Sequence, residues 1–314
     1  MRKACLDWVY KLAKEDPRVV FVGSDLSLGL LGEMKKEMPD RWFMEGIAEQ
    51  NVVGMAAGMA LEGLIPYANT IATFFTRRAY EQIAVDCCLH NVPVRLISNG
   101  GGLVYAPLGP THLAIEDIAT MRALPNMTVV ACCDAEEMKR FMDASLHWKG
   151  PIYIRLAKGG DPVVSRPELG FEIGKAIVMR KSSEASPIAL MTTGVMTTNA
   201  LQAAEMLEGH GVDATVVHFH TIKPLDVAAV LHHARAARLV VTVEEGIAIG
   251  GFGSAVTDVL VDQLGPGMPH VKRIALPDSF SRNYGLQNDL FEIFGLSPPQ
   301  IVRAVRETLK RAST

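Results

Sequence analysis

The amino-acid sequence predicts an α/β protein of two domains, the first built on a parallel sheet and the second smaller. Short apolar segments, typical of strands, alternate with segments of helical periodicity over most of the 314 residues. The strand segments are apolar at nearly every position, as expected where helices cover both faces of a sheet. A polar stretch rich in chain-breaking residues separates two such alternating regions. These observations predict domains at 1–165 and 187–314, joined by a connection at 166–186.

Each predicted element follows from its apolar pattern. In the first region, a helix at Lys3–Lys14 precedes five buried strands at Arg18–Val22, Ile65–Asn69, Val92–Ser98, Thr128–Cys132 and Pro151–Leu156. In the second region, strands are predicted at Ile188–Thr192, Ala214–Phe219 and Arg238–Val243, with helices at Thr197–Gly209, Asp226–Ala236, Gly250–Leu264 and Ser297–Arg311. The connection is expected to include a short strand within Glu172–Met179. Helices between buried strands imply a parallel sheet covered on both faces.

Composition and charge exclude several classes of function. Hydrophobic residues make up 49% of the chain and charged residues 21%, as in ordinary globular proteins. A net charge of -3, without a long run of Lys or Arg, argues against nucleic-acid binding. No segment approaches the ~18–20 apolar residues of a membrane span, and Asp7 lies where a signal peptide would be apolar. We therefore expect a cytoplasmic protein whose partners include neither nucleic acid nor a membrane.

The five cysteines show no pattern of a disulfide framework or a metal site. Cys5 stands alone, and Cys87–Cys88 and Cys132–Cys133 are adjacent pairs with apolar neighbours. Adjacent residues lack the spacing of a CxxC metal site, and an odd number at irregular spacing argues against paired disulfides. Reduced, buried thiols are expected, and no metal ligand is assigned in this chain. The histidines at positions 218, 220, 232 and 233 lack an accompanying carboxylate pattern and are expected to be structural.

The segment most informative about function is Met44–Ala60, where an acid precedes a helix of small residues. Gly54, Ala57 and Gly58 put small side chains on neighbouring helical positions, where a second backbone or a flat ligand could approach closely. Glu49 stands at the head of this helix. For an isolated Glu, the simpler interpretation would be a first-turn acid that the helix dipole favours by about 0.3–1 kcal/mol.

The same segment resembles the pyrimidine-binding domain of thiamine-diphosphate enzymes, above all transketolases and deoxyxylulose-phosphate synthases. The family motif is Gly-Ile, one variable residue and a catalytic Glu before a helix rich in Gly and Ala, and Gly46–Glu49 matches it. The resemblance implies that Glu49 hydrogen-bonds a ring nitrogen of the cofactor's aminopyrimidine and favours its imino tautomer, which removes the proton from the thiazolium carbon. Because this carboxyl group shares a proton with a weak base, it needs an apolar site that raises its pKa.

The aromatic segment that follows supplies further expected cofactor contacts. Asn69–Gln82 runs from a strand end into a helix and resembles the Thr-Phe-x-x-Phe segment of transketolases. The resemblance implies that Phe74 stacks on the aminopyrimidine and that Ile71 replaces the motif's first aromatic residue in the pocket wall. Asp25, just after the first predicted strand, is a cofactor contact by the same resemblance. Core packing at a strand end is the alternative for Phe74 and for its neighbour Phe75.

A glycine-rich loop, Asn99–His112, follows a buried strand at the sheet edge where α/β proteins bind ligands. Its three consecutive glycines, Gly100–Gly102, are weak grounds for a phosphate loop because no Lys-Ser or Lys-Thr follows. Gly109–His112 is more specific, since transketolases carry the same Gly-Pro-Thr-His sequence ahead of a helix. The resemblance implies that His112 contacts a substrate oxygen or assists proton transfer.

Other positions bear on the substrate. Leu108 and Gly29 stand where sugar-phosphate transketolases carry an acidic residue and a phosphate-binding Ser, which leaves the reaction class unchanged and the donor open. By resemblance, Arg155 and Arg2 hold the substrate's phosphate, a task that suits the planar fork of donors on a guanidinium group. Arg77–Arg78 fit solvated helix positions and substrate contacts equally well.

The second region resembles the transketolase C-terminal domain in Thr221–Asp226 and Glu244–Val256. In the family this domain serves packing and subunit contact. The absent third domain carries a Gly-Asp-Gly motif, found nowhere in this sequence, that holds the cofactor's diphosphate through a divalent metal. The resemblance therefore implies a separate N-terminal transketolase subunit that holds Mg²⁺ or Ca²⁺, in an α₂β₂ heterotetramer with self-association through this chain.

The expected function is that of a split transketolase subunit. With thiamine diphosphate and the N-terminal subunit, it would transfer a two-carbon ketol unit from a ketose, expected to be phosphorylated, to an aldose. The rival enzymes are a 2-oxo acid dehydrogenase β subunit, which lacks Gly-Pro-Thr-His, and a deoxyxylulose-phosphate synthase, normally one long chain. A rival of another class is a non-catalytic regulatory or scaffolding remnant, against which the presence of Glu49 and His112 argues.

Overall fold

Two open sheets with their helices make up the part of the chain that the computed structural model describes, residues 1–24, 29, 31–185 and 187–312. The first region contains the strands β1 (Val19–Gly23), β2 (Trp42–Met44), β3 (Ile65–Ile71), β4 (Arg95–Asn99), β5 (Thr128–Ala131) and β6 (Ile152–Leu156). Its helices are α1 (Arg2–Glu15), α2 (Gly32–Glu37), α3 (Glu49–Leu61), α4 (Tyr80–Gln82), α5 (Asp117–Ala123) and α6 (Ala135–Leu146). π-Helical turns at Phe74–Arg78 and Ile83–Leu89 flank α4.

The second region continues the alternation. Its strands are β7 (Ile177–Arg180), β8 (Ile188–Thr192), β9 (Ala214–His218), β10 (Thr221–Lys223), β11 (Leu239–Ile247) and β12 (His270–Leu276). Its helices are α7 (Met196–Glu208), α8 (Val227–Ala236), α9 (Phe252–Leu264), α10 (Gln287–Ile293) and α11 (Pro298–Ala312). Short 3₁₀ turns lie at Pro39–Arg41, Ala106–Leu108, Pro167–Leu169 and Gly265–Gly267.

The strand pairing confirms the predicted parallel architecture. The larger sheet has the order β10-β5-β6-β4-β3-β1-β2, and every neighbouring pair is parallel except β10 with β5. The smaller sheet has the order β12-β11-β8-β9-β7, with only the edge strand β7 antiparallel to its neighbour. The inner strands β1, β3, β4 and β6 are buried at every residue, as expected where helices cover both faces of a parallel sheet.

The two regions are joined by more than the connecting segment. β10 lies within the predicted second domain but pairs with β5 in the first sheet, and β7 lies within the predicted connection but forms an edge of the second sheet. One apolar cluster runs from Val53 on α3 to Phe252 on α9. The two sheets therefore share a core. The strands β7 and β10 lie in sheets that the change in composition along the sequence, from which the domain boundaries were predicted, does not indicate.

A buried polar contact also crosses between the regions. The Glu137 carboxylate on α6 accepts from the Cys133 backbone N–H at 2.7 Å and lies 2.9 Å from His218 Nε2 on β9. Burial raises the pKa of Glu137, but the charge and hydrogen bond of His218 outweigh it and leave the pKa at about 2. The potential ligand atoms of Cys133, Glu137 and His218 lie within 4.8 Å of one another. With the carboxylate already engaged by both neighbours, this geometry is explained by a buried hydrogen-bonded contact between the two regions.

All five cysteines are buried and free of disulfides, as the sequence predicted. Burial raises the pKa of Cys5 and Cys87 well above the ordinary thiol value, and that of Cys88 to about 11. These thiols are therefore protonated and unreactive at neutral pH. Among the described helices, none combines the length and the apolar composition needed to span a membrane.

Candidate active site

The helix α3 begins at Glu49, where the sequence predicted it. The turn that leads into it contains Gly46 with φ of 63°, a left-handed conformation that favours glycine. The helix then buries Val52, Val53 and Ala56 in the core, which fixes its orientation against the sheet. This packing places the Glu49 side chain inside the protein, with only 1% of it exposed.

Two donors satisfy the Glu49 carboxylate. Thr70, near the end of β3, donates its hydroxyl to Oε1 at 3.1 Å, and Arg78 donates Nη1 to Oε2 at 2.5 Å. A carboxylate withdrawn from water is stable only when it is hydrogen-bonded or paired with a cation. The partners differ in accessibility, because Thr70 is buried whereas the Arg78 side chain is 38% exposed. The Glu49 carboxylate is thus enclosed on all sides but the one that Arg78 covers.

Phe74 and His112 extend this arrangement. The guanidinium carbon of Arg78 lies 4.3 Å from the centroid of the Phe74 ring, and the His112 ring meets Phe74 edge to face at 5.5 Å. Phe75 is fully buried in the core, so of the two phenylalanines only Phe74 presents its ring to Arg78. The sequence-predicted residues Glu49, Phe74 and His112 therefore lie along one series of contacts.

Arg77 anchors the Gly-Pro-Thr-His loop. Its guanidinium forms an ion pair with Glu116 and donates to the backbone oxygens of Leu113 at 2.9 Å and Pro110 at 3.3 Å. These donors hold the loop on both sides of His112. The sequence left Arg77 without a role, and no pattern of charges marks Glu116 as its partner, because the two residues come together only through the fold.

The triple glycine is explained by close packing. A Cβ atom on Gly101 would overlap the Arg155 side chain, and one on Gly102 would overlap Glu245. Both glycines also form bridges with Ala114. After the loop, the helix α5 begins at Asp117 rather than directly after His112.

Arg155 lies at the centre of a buried ion cluster. Its side chain is 5% exposed, donates Nε to Asp117 at 2.7 Å and Nη2 to the Glu245 backbone oxygen at 2.7 Å, and lies 3.7 Å from a Glu245 carboxylate oxygen. The other Glu245 oxygen accepts from the Leu103 N–H at 2.8 Å and from Gln287 at 2.7 Å. A substrate phosphate would have to compete with these carboxylates, so the phosphate role of Arg155 stays a prediction.

Burial and the charges within this cluster shift the pKa values of its members. Burial raises the pKa of Asp117 and raises that of Glu245 to about 7, in each case against the lowering effect of Arg155. Burial lowers the pKa of Arg155, but the two carboxylates outweigh it and raise the pKa. Because two carboxyl groups share one guanidinium, the cluster holds or releases a proton near neutral pH.

The remaining predicted positions are less central. Arg2 begins α1 near Tyr105, whose pKa burial raises against the charge of Arg2. Ile71 is buried at the end of β3, and Leu108 is 51% exposed in the loop. Asp25 lies outside the described residues.

Orphaned polar atoms lie at the edge of the sheet that faces this site. Ser24 Oγ, Thr73 Oγ1 and Asn99 Oδ1 are buried and have no hydrogen-bond partner among the residues described. Ser24 follows β1, Thr73 follows β3 and Asn99 ends β4, three adjacent strands whose carboxyl ends meet at one edge. Buried polar groups are normally paired, so a polar ligand fits this edge. An aminopyrimidine, flat and polar at its rim, suits the enclosed carboxylate, the Phe74 ring and these unpaired groups.

Comparison with known proteins identifies the class. A sequence profile of the transketolase pyrimidine-binding domain matches residues 1–160, and one of the transketolase C-terminal domain matches residues 174–301. The chain therefore belongs to the transketolase family, whose members are thiamine-diphosphate-dependent enzymes. This confirms the fold and the family that the sequence motifs indicated.

Individual relatives within the family are similar to this chain over most of its length. An uncharacterized transketolase family protein of Sinorhizobium fredii, y4mN, is 39% identical over 95% of this chain and 86% of its own length. A 6-deoxy-6-sulfo-D-fructose transketolase subunit, SqwH of a Clostridium species, is 34% identical over 99% of this chain and 95% of its own. The 1-deoxy-D-xylulose-5-phosphate synthase of a Synechococcus species is 39% identical over 94% of this chain, which spans only 45% of that enzyme.

Solved structures agree with this assignment. A split-gene transketolase, described as an inactive β4 tetramer, superposes with a TM-score of 0.89 at 36% identity and covers 98% of both chains. A variant of the Pichia stipitis transketolase superposes with a TM-score of 0.79 at 20% identity, over 97% of this chain and 45% of its own, which shows the shared fold.

Proposed function

We propose that this chain is one subunit of a split transketolase, transferring a two-carbon ketol unit from a ketose to an aldose with thiamine diphosphate. The observation that carries the proposal is the Glu49 carboxylate, enclosed at the carboxyl edge of the first sheet and linked to Phe74 through Arg78. The Clostridium relative, named as a subunit, and the split-gene neighbour support a separate N-terminal partner. That neighbour's description as an inactive β4 tetramer supports self-association of this chain and a need for the partner. A cytoplasmic location belongs to the same proposal.

Each residue of the site has a role in this proposal. Thiamine diphosphate, when bound, supplies the carbon nucleophile that accepts and releases the two-carbon unit. Glu49 shares a proton with a ring nitrogen of the aminopyrimidine, and Phe74 and Ile71 line that ring's pocket. His112 contacts a substrate oxygen or moves a proton, and Asp25 is a further cofactor contact. In this proposal the partner subunit holds the diphosphate with Mg²⁺ or Ca²⁺, because the Gly-Asp-Gly motif that binds them in the family is not found in this sequence.

A second function, that of a deoxyxylulose-phosphate-synthase-like enzyme, is favoured by the Synechococcus synthase at 39% identity. Exposed Leu108, in place of the acidic residue of sugar-phosphate transketolases, is compatible with a different donor. The two functions differ in the donor, because the synthase reaction decarboxylates pyruvate whereas a transketolase cleaves a ketose without releasing CO₂.

Reconstitution with the N-terminal subunit tests the proposal. The chain alone, the partner alone and the mixture are each given thiamine diphosphate, Mg²⁺, an aldose phosphate acceptor and one donor. The donors are ketose phosphates, 6-deoxy-6-sulfo-D-fructose and pyruvate. We expect ketol transfer from a ketose by the mixture alone. Robust turnover by the single chain contradicts the need for a partner, and CO₂ release from pyruvate without ketol transfer favours the second function.

A further inference from the structure

The contacts of Arg78 are those that the proposed function gives to the aminopyrimidine ring. Its guanidinium donates Nη1 to Glu49 Oε2 at 2.5 Å and lies over Phe74, with 4.3 Å between the guanidinium carbon and the ring centroid. A guanidinium group is a flat cation with N–H donors on its rim, and it stacks on aromatic rings. A protonated aminopyrimidine is likewise a flat cation with N–H donors on its rim, and it too can stack on an aromatic ring.

We propose that Arg78 is an internal placeholder for the cofactor. In the chain without cofactor, its guanidinium occupies the position of the aminopyrimidine between Glu49 and Phe74, and thiamine diphosphate must displace it to reach the carboxylate. This inference rests on the proposed function and adds to it a step of exchange between a side chain and the cofactor.

The energetics favour such an exchange. The Glu49 carboxylate is 1% exposed, so leaving it without a cation would be unfavourable. Arg78 neutralises it before the cofactor arrives. The Arg78 side chain is 38% exposed, so it can move into water without opening the core. Because the Arg78 side chain is bound to Glu49 on one side and hydrated on the other, it can stabilise the free chain and still be displaced by the cofactor.

Arg77 is the matched control because it is the neighbouring residue with a different set of contacts. Its guanidinium pairs with Glu116 and bonds to the loop backbone, and its contacts do not include Glu49. Replacing Arg77 should therefore loosen the loop whatever residue stands at position 49. Replacing Arg78 should lower the stability of the chain only while the Glu49 carboxylate is present.

The first experiment is a double-mutant cycle on the full chain without cofactor, measured as the thermal unfolding midpoint. We expect R78M to lower the Tm by about 2 °C or more. The same change in the E49Q background should leave the Tm unchanged, because no buried charge is left to neutralise. R77M should lower the Tm equally in both backgrounds. Equal effects of R78M with and without E49Q would overturn the proposed pairing.

The second experiment measures the affinity for thiamine diphosphate by calorimetry on the complex reconstituted with the N-terminal subunit and Mg²⁺. If a placeholder holds the site about nine-tenths of the time, removing it tightens apparent binding about tenfold. R78M should show this gain. R78K, which keeps the charge but loses the flat stacking surface, should show a smaller one, and R77M none.

The outcomes separate this inference from the proposed function. If the wild-type complex binds thiamine diphosphate but R78M binds it equally or more weakly, Arg78 is not a placeholder, and the proposed function stands. If the wild-type complex does not bind thiamine diphosphate at all, the proposed function falls and this inference falls with it.

Discussion

Glu49 and Glu245 are both buried glutamates with an arginine beside them, but their surroundings differ. Glu49 is covered by Arg78, whose side chain is 38% exposed, whereas Glu245 lies against Arg155, which is 5% exposed and also bound to Asp117. The first pair opens toward solvent at the edge of the sheet, and the second is enclosed between the two domains. Under the proposal that the cofactor displaces Arg78, this difference in the exposure of the arginine separates the candidate active site from a structural cluster.

The largest stability effect is expected for R155M, which leaves the carboxyl groups of Asp117 and Glu245 without their shared cation. Breaking a buried ion pair on one side should lower the free energy of unfolding by about 3–5 kcal/mol. Urea denaturation of the full chain measures this. R78M is the comparison, because Arg78 is the half-exposed partner of Glu49. This variant should lower the free energy of unfolding by about 1 kcal/mol. Equal losses for the two variants would remove the contrast between an enclosed and a displaceable partner.

A pH dependence should follow from Glu245. Its pKa is about 7 in the folded chain against an ordinary value of 4.5, so the folded state keeps a proton that the unfolded chain loses between these values. Stability should therefore fall as the pH rises from 4.5 to about 7, by on the order of 3 kcal/mol, and then level off. E245Q should flatten this fall when unfolding is compared at pH 5 and pH 8. An identical fall in wild type and E245Q would contradict the assignment.

A smaller effect is expected on cofactor affinity from F74A. Loss of the aromatic ring face of Phe74 should weaken thiamine diphosphate binding by the reconstituted complex about tenfold. Stability should change little, because Phe74 is only half-buried. F280A is the matched control, since Phe280 is 66% exposed and lies over Arg77 rather than Arg78. Similar affinities for F74A and wild type would show that Phe74 does not contact the cofactor.

Much of the fold could be predicted because inner strands carry an unambiguous signal. The predicted strand Ile188–Thr192 is found at the same residues, and the helix of Glu49 begins where its motif placed it. The edge strand β7 overlaps the short strand expected within Glu172–Met179, whereas β2, β10 and β12 were missed. β12 (His270–Leu276) is largely accessible and contains Lys272 and Arg273, so its sequence lacks the apolar run of a buried strand. β10 spans three residues, too few for a periodic signal.

The site could be predicted in part for a similar reason. Local motifs predicted a shared site for Glu49, Phe74 and His112, which the structure links through one series of contacts, but side-chain partners depend on contacts between distant segments. Arg78 reaches Glu49 through a π-helical turn at Phe74–Arg78, a local departure from helical spacing that the sequence pattern does not reveal. Arg155 was placed correctly at a strand end, yet its partners come from α5 and β11.

The proposed function assigns activation of the cofactor to the enclosed Glu49 carboxylate in particular. It does not assign this role to buried carboxylates in general. Turnover of the reconstituted complex with saturating thiamine diphosphate and Mg²⁺, compared for E49Q and E245Q, tests it most directly. Both variants exchange a buried carboxylate for an amide of the same shape. E49Q should lose about 10²- to 10⁴-fold in turnover while the chain remains folded, and E245Q should lose far less. Wild-type turnover by E49Q would contradict the account.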